Sequence, residues 1–187
     1  HKRPLGDLSF AINYYIGKLD VLGYHLVNIC IHIGTSLLVY LFTLMILSRL
    51  LTNEYNNNEI SSKIIIIACL TTFIFALHPL QTQAITYIVQ RYTALSALFY
   101  LLAIIFYISA REKQLVNSWW GRYVILYICS IISGILAFMS KQNAASLPGA
   151  IILVEYFLYD ASWAAWKKKI KWLFPAITIF VIFILLN

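Results

Sequence analysis

Residues 91–110 read Arg91-Tyr92-Thr93-Ala94-Leu95-Ser96-Ala97-Leu98-Phe99-Tyr100-Leu101-Leu102-Ala103-Ile104-Ile105-Phe106-Tyr107-Ile108-Ser109-Ala110. After the arginine there is no charge until Arg111. The run is close to the roughly 20 apolar residues that cross the hydrocarbon core of a bilayer. Lipid offers the backbone no hydrogen bonds, so such a run must satisfy its own and be a helix. Five further stretches have the same character, at about 22–47, 64–77, 123–139, 147–159 and 172–186. The 64–77 run can extend backward through Ser61-Ser62, and the 147–159 run opens at Pro148, a good first helical residue. The fold class is therefore all-α: a polytopic transmembrane bundle of about six spans.

Composition agrees. The chain has 187 residues, 61% hydrophobic and 11% charged, with mean hydropathy +0.80. A soluble domain carries roughly 25% charge, so this one could not cover its surface with polar groups. Cys30, Cys69 and Cys129 all lie inside apolar runs at no metal-binding spacing, and they read as small core residues. No metal is expected. The net charge of +7 bears on orientation in the membrane rather than on nucleic acid.

Alternating loops define two sides. Loops around 48–63, 111–122 and 160–171 carry nine Lys and Arg; the N-terminal segment, 78–91 and 140–146 carry five. The positive-inside rule assigns the richer side to the cytoplasm. Trp119, Trp120, Trp163, Trp166 and Trp172 flank spans on that side, as interfacial anchors do. Arg3, Arg91 and Lys141 then gather on the outer side. A cation beside hydrocarbon costs several kcal/mol unless it is paired or faces water. Such cations either snorkel to headgroups or line a pocket for an anion, and in a bilayer the obvious anion is a lipid phosphate.

Three outer segments deserve separate reading. In 1–20, Leu8, Ala11, Ile12, Tyr15 and Ile16 recur at helical spacing, with Asp7 or Ser9 as candidate caps and Gly17 as a stop. This predicts an amphipathic helix along the outer interface, followed by the bundle over 21–187. In 78–91, Pro79 breaks the chain, and one helix can run from there through Arg91 into the next span. Gln83, Tyr87, Gln90 and Arg91 would share a face too polar for lipid. His78 at the break suits a hydrogen-bonded cap better than a base. In 138–148, Lys141 directly follows an apolar span, beside Ser140, Gln142 and Asn143. It can compensate a helix dipole, or the four donors can form an anion site. His25, Asn28 and His32 make a polar stripe on the first span, suited to hydrogen bonding between helices.

Read together, these motifs resemble a known family. Arg3-Pro4-Leu5, Ser9-Phe10, Asn13, then Gly23-Tyr24-His25-Leu26-Val27-Asn28 with His32, are similar to the membrane domain of the transmembrane, tetratricopeptide-repeat-containing O-mannosyltransferases and their bacterial relatives. So are Leu77-His78-Pro79 with Thr82, Ala84, Tyr87 and Arg91, and Ser140-Lys141 with Asn143-Ala144, Leu147-Pro148 and Glu155. The resemblance runs in order through nearly the whole chain.

It implies a GT-C type glycosyltransferase. Such enzymes move a sugar from a polyprenyl-phosphate carrier to an acceptor, often a Ser or Thr hydroxyl, on the outer or lumenal face. The implied partners are membrane lipid, the lipid-linked sugar and a protein acceptor or partner subunit; no cofactor is implied, the donor being the polyprenyl-phosphate sugar. Residues 1–187 would form part of one transmembrane domain. The first helix and the first outer loop with its catalytic acidic pair are expected upstream of His1, and tetratricopeptide repeats after the membrane domain. Asp7 and Asp20 do not match that pair. Gln83 and Gln142 stand where relatives often carry Glu, removing two potential negative charges.

The donor phosphate is expected at Lys141 and Arg91, with Ser140 and His78 as hydrogen-bond donors and Arg3 beside them. Two other readings use the same fold: a non-catalytic scaffold or subunit of a larger complex, and a transporter of lipid-linked sugars, which calls for discontinuous helices or inverted repeats. The heavy use of Ile, Asn, Lys and Tyr suits a bacterial plasma membrane, with the endoplasmic reticulum as the alternative.

Overall fold

A computed structural model describes residues 3–51, 58–116 and 119–159. Every regular element among them is helical. The helices are α1 (Pro4–Gly17), α2 (Val21–Leu51), α3 (Asn58–Leu77), α4 (Thr82–Thr86), α5 (Arg91–Leu115), α6 (Trp120–Ser140) and α7 (Leu147–Leu158). Among the described residues, four segments are long and apolar enough to cross a membrane: Val21–Leu51, Ile60–Leu77, Ile88–Leu115 and Trp120–Ser140. They match the first four expected spans, and α3 does extend back through Ser61 and Ser62. The expected fifth span is represented by α7, 12 residues long, short of a full crossing. The sixth, 172–186, lies outside the described residues, as do Trp163, Trp166 and Trp172. Trp119 and Trp120 are exposed at the start of α6, as anchors at a membrane surface would be.

Two compact units divide the chain at Ala144. The second contains α7, which carries a proline in its first turn. In the first unit, α5 and α6 make the most extensive helix pair, and α2 packs against both α3 and α5. Hydrophobic force between helices is weak in lipid, so close approach through small residues must supply the attraction. Ala103 and Ala110 of α5 and Ser133 and Ala137 of α6 are buried accordingly. Ser130 Oγ donates to the Ala103 carbonyl at 2.7 Å and stitches the pair. The cysteines are all free; Cys69 and Cys129 are partly covered, but Cys30 is exposed on α2. Its thiol faces outward rather than into a core, a placement that costs nothing against lipid.

The helix α1 starts with Pro4 in its first turn, and neither Asp7 nor Ser9 caps it. Ser9 Oγ donates to Gly6 O at 2.7 Å, while Asp7 accepts a hydrogen bond from Tyr92. Helix α1 ends at Gly17 as expected, but the positive φ falls on Lys18, at 51°. Asp20 Oδ1 then accepts the Leu22 N–H at 3.1 Å and starts α2. Leu8, Ile12, Tyr15 and Ile16 are exposed, with Tyr15 90% accessible, whereas Gly6 and Asn13 are buried. The amphipathic helix therefore turns its apolar side away from the protein and its polar side onto the bundle.

The connection from α3 to α5 departs from the single helix expected over 79–91. It is a 3-10 turn (Pro79–Gln81), then α4, then an extended Tyr87 (φ −88°, ψ 109°), then a second 3-10 turn (Ile88–Gln90). The polar stripe of α2 explains the break. His25 Nδ1 lies 3.2 Å from the Ile85 carbonyl, and Asn28 Nδ2 donates to the same oxygen at 3.5 Å. His32 Nε2 lies 3.1 Å from the Ala76 carbonyl. Side chains of α2 thus take over carbonyls that a continuous helix would have bonded internally. With the helix broken, Gln83, Tyr87, Gln90 and Arg91 do not share one face.

Candidate functional site

The segments expected on one side do meet at one end of the first unit. Arg91, the first residue of α5, is fully buried there, with 0% exposure. Its Nε donates to Asn28 Oδ1 at 2.8 Å. Its Nη1 donates to Asn13 Oδ1 at 2.8 Å and to the Ser9 carbonyl at 3.3 Å. Its Nη2 donates to the Tyr24 carbonyl at 2.9 Å. Phe10 and Tyr24 stack their rings near the guanidinium, the former with its centroid 4.5 Å away. A guanidinium has five N–H donors in a rigid fork, and four hydrogen bonds to α1 and α2 occupy nearly all of them. The expected role of Arg91 as a phosphate ligand therefore meets a different use: it ties α1, α2 and α5 together.

Lys141 is placed differently. The chain turns extended at this residue (φ −158°, ψ 138°), its N–H closing the last turn of α6 on the Ala137 carbonyl. The ammonium therefore projects beyond the helix end. It donates to Thr93 Oγ1 at 2.7 Å, and Thr93 in turn donates to Gln90 Oε1 at 3.0 Å. This is the ammonium's only hydrogen bond among the described residues, and two of its three N–H groups remain for a ligand. Lys141 lines a cavity of about 470 Å³ with His32 and Thr35 of α2, Phe75 of α3, Gln81, Gln83 and Gln90 of the broken connection, and Thr93 of α5. The space exists because Ala84, Ala94 and Ala97 are small. The size falls within the range of small-molecule sites.

The other expected site residues stand outside this cavity. Ser140 is fully buried, and its hydroxyl donates to Leu136 O at 2.9 Å within its own helix. His78 is exposed and caps the first 3-10 turn, its Nδ1 accepting the Leu80 N–H at 3.2 Å. Arg3 lies 5.1 Å from the centroid of the Tyr92 ring, whose hydroxyl donates to Asp7 at 2.6 Å. Of the five, the structure brings only Lys141 to the cavity wall. Thr93, which orients the lysine, was missed. Its signal was weak: a hydroxyl two residues into an apolar run, followed by Ala94 and Ala97.

Among the described residues no carboxylate lines the cavity. Asp7 is bonded to Tyr92 and Asp20 caps α2, so both outer acidic residues have structural work. Among the described residues no three His, Cys, Asp or Glu side chains converge to hold a metal. The site can bind an anion through Lys141 and hydroxyl-bearing groups through amides.

Helices and site together define a multi-pass membrane protein. Its curated relatives are protein O-mannosyl-transferases. The chain is 32% identical over 150 residues to human protein O-mannosyl-transferase TMTC4, covering 79% of this chain and 20% of that protein. It is 33% identical over 142 residues to Tmtc1 of Drosophila melanogaster, covering 76% and 14%. It is 27% identical over 156 residues to human TMTC3, covering 83% and 15%. The chain is thus homologous, over roughly four-fifths of its length, to part of the TMTC proteins, and it spans a fifth or less of these relatives. No protein-family model matches the chain, and no solved structure matches it.

Proposed function

We propose that this chain is the donor-binding part of a membrane glycosyltransferase that moves a mannosyl group from a polyprenyl-phosphate carrier to a protein hydroxyl on the outer or lumenal face. The observation that carries the reading is the Lys141 ammonium, held by one hydrogen bond to Thr93 at the wall of a cavity of about 470 Å³ that it shares with three glutamines. The relatives' names supply the sugar and the type of acceptor. The excess of basic residues at the opposite loops supports the outer or lumenal face.

In this reaction the acceptor oxygen attacks the anomeric carbon. The bond from that carbon to the phosphate oxygen breaks, and its electron pair stays on the phosphate. Negative charge therefore grows on the phosphate as the bond lengthens. An ammonium oriented by Thr93 stabilises that charge most in the transition state, and it needs little reorganisation to do so. The acceptor proton goes to a general base, assigned to the loop expected before Arg3. Arg91 acts at a distance by fixing the start of α5, hence Thr93 and Gln90. Ser140 and His78 bond backbone groups of their own segments, and Arg3 lies over the Tyr92 ring.

The test is transfer of radiolabelled mannose from a polyprenyl phosphate to a Ser/Thr peptide by the full-length protein in nanodiscs. Lys141→Ala should lower turnover about 10²-fold, as removal of a transition-state donor does. Near-normal turnover would remove the phosphate role.

A further inference from the structure

The opposite end of the first unit carries a separate cavity, of about 330 Å³, between α2 and α5. Leu44, Met45, Ser48 and Arg49 of α2 line it with Ile108 and Glu112 of α5. Thr93, beside Lys141, and Glu112 stand roughly 28 Å apart along α5 at 1.5 Å per residue. That is close to the hydrocarbon thickness of a bilayer, so this cavity opens at the other membrane surface. It lies beside the loops richest in Lys and Arg, the side assigned to the cytoplasm. Arg49 Nε and Glu112 Oε1 face each other there at 3.6 Å, with the two side chains 30% and 36% exposed. Their separation exceeds the about 2.7–2.9 Å of a charge-assisted hydrogen bond. One helical turn nearer the bilayer centre the wall is apolar: Leu44, Met45 and Ile108, the last of them buried.

We propose that this cavity holds a phospholipid of the adjoining leaflet with a phosphoethanolamine headgroup. The phosphate sits on Arg49, the primary ammonium on Glu112, and the start of an acyl chain over Leu44, Met45 and Ile108. The inference is independent of the role of Lys141. Charge complementarity selects the headgroup. A cation and a carboxylate side by side match a zwitterion, and two carbons separate the phosphate oxygen of ethanolamine phosphate from its nitrogen. Arg49 stands in the last turn of α2, where a cation suits the helix dipole. Glu112 stands one turn from the end of α5, where a carboxylate opposes that dipole, so it gains from a second cation. The quaternary nitrogen of choline has no N–H to donate to Glu112. A glycerol headgroup brings the phosphate's negative charge to that carboxylate with no cation to offset it. An ion pair alone would join α2 to α5 but leave the apolar space beneath it unfilled, at the cost of lost contacts for its lining.

The test is native mass spectrometry of the full-length protein in detergent, titrated separately with phosphatidylethanolamine, phosphatidylcholine and phosphatidylglycerol of identical acyl chains. Detergent removes the differences in bilayer curvature and pressure among these lipids. The wild type should retain phosphatidylethanolamine about tenfold more tightly than either of the others, the worth of one charge-assisted hydrogen bond. Glu112→Gln should bring phosphatidylethanolamine down to the level of phosphatidylcholine. Arg49→Gln, which removes the phosphate's partner, should weaken both of these lipids. Equal retention of the three lipids by the wild type would overturn the proposal, as would a preference for phosphatidylglycerol. That comparison needs no variant, so it decides the matter even where a charge substitution fails to fold. An ethanolamine preference that survives Glu112→Gln would overturn the assignment of the ammonium to this cavity and leave Arg49 and Glu112 as a tie between helices.

Discussion

Arg91 Nε and Asn28 Oδ1 lie 2.8 Å apart, joining the first residue of α5 to the polar stripe of α2 with both side chains fully buried. The same guanidinium reaches Asn13 and Ser9 of α1. Three helices far apart in sequence therefore share one cation. Burying a charge is tolerable only where its donors are satisfied, and here backbone and amide oxygens satisfy them without a carboxylate.

Arg91→Ala should therefore act on stability first. It leaves four acceptors from α1 and α2 and a guanidinium-shaped void. Asn28→Leu leaves the Nε–H of the buried guanidinium without its acceptor while Asn13 and the two carbonyls keep theirs, at a cost of about 1.5–3 kcal/mol for one hydrogen bond to a charged group. Arg91→Lys should not rescue, because an ammonium cannot span acceptors arranged for a planar fork. Thermal unfolding in nanodiscs should show a large fall in Tm for all three variants; an unchanged Tm for Arg91→Lys would contradict the tie.

Lys141→Ala should behave in the opposite way. Its ammonium makes one hydrogen bond, to Thr93, so its removal should leave Tm within a degree or so of wild type while transfer falls about 10²-fold. The contrast between Arg91 and Lys141 is read from the same two measurements.

Thr93→Val keeps the shape of the residue and removes the oxygen that orients Lys141. A net hydrogen bond of about 0.5–1.5 kcal/mol corresponds to a loss of roughly 2- to 10-fold in transfer. Thr93→Ser should restore most of it. Failure of serine to rescue would assign the loss to packing instead.

Gly6 lies against Tyr92 so closely that a Cβ there would come within 2.1 Å of the ring. The ring cannot swing away freely, since its hydroxyl is bonded to Asp7 and it packs edge-on against Phe10 at 5.3 Å. Gly6→Ala should cost about 1–3 kcal/mol through overpacking, and hydrogen exchange should rise in α1 before it rises in α5. Uniform exchange would mean that α1 does not move as a separate unit.

The transporter reading gains little from the broken connection over 78–90. The break joins α3 to α5 at one end of the bundle and does not split either span. It serves to place Gln81, Gln83 and Gln90 around the cavity, which is the use a binding site has for irregular backbone at membrane depth.

Charge-free runs of nearly 20 residues settled the helices, because hydrocarbon permits no other way to satisfy a single segment's backbone. That is why 92–110 was read correctly from composition alone. The same rule made Arg91 and Lys141 conspicuous and put them at one end of the bundle. It could not separate their roles. One is enclosed by Asn13, Asn28 and two carbonyls, and the other projects from a helix end into open space. Those partners come from positions 48 to 82 residues away, and no local pattern encodes such distances. The break at Tyr87 has the same origin: the 79–91 sequence is compatible with a helix, and oxygen-seeking side chains of α2 take its carbonyls. Sequence determined which segments enter the membrane; packing between helices decided which cation was left for a ligand.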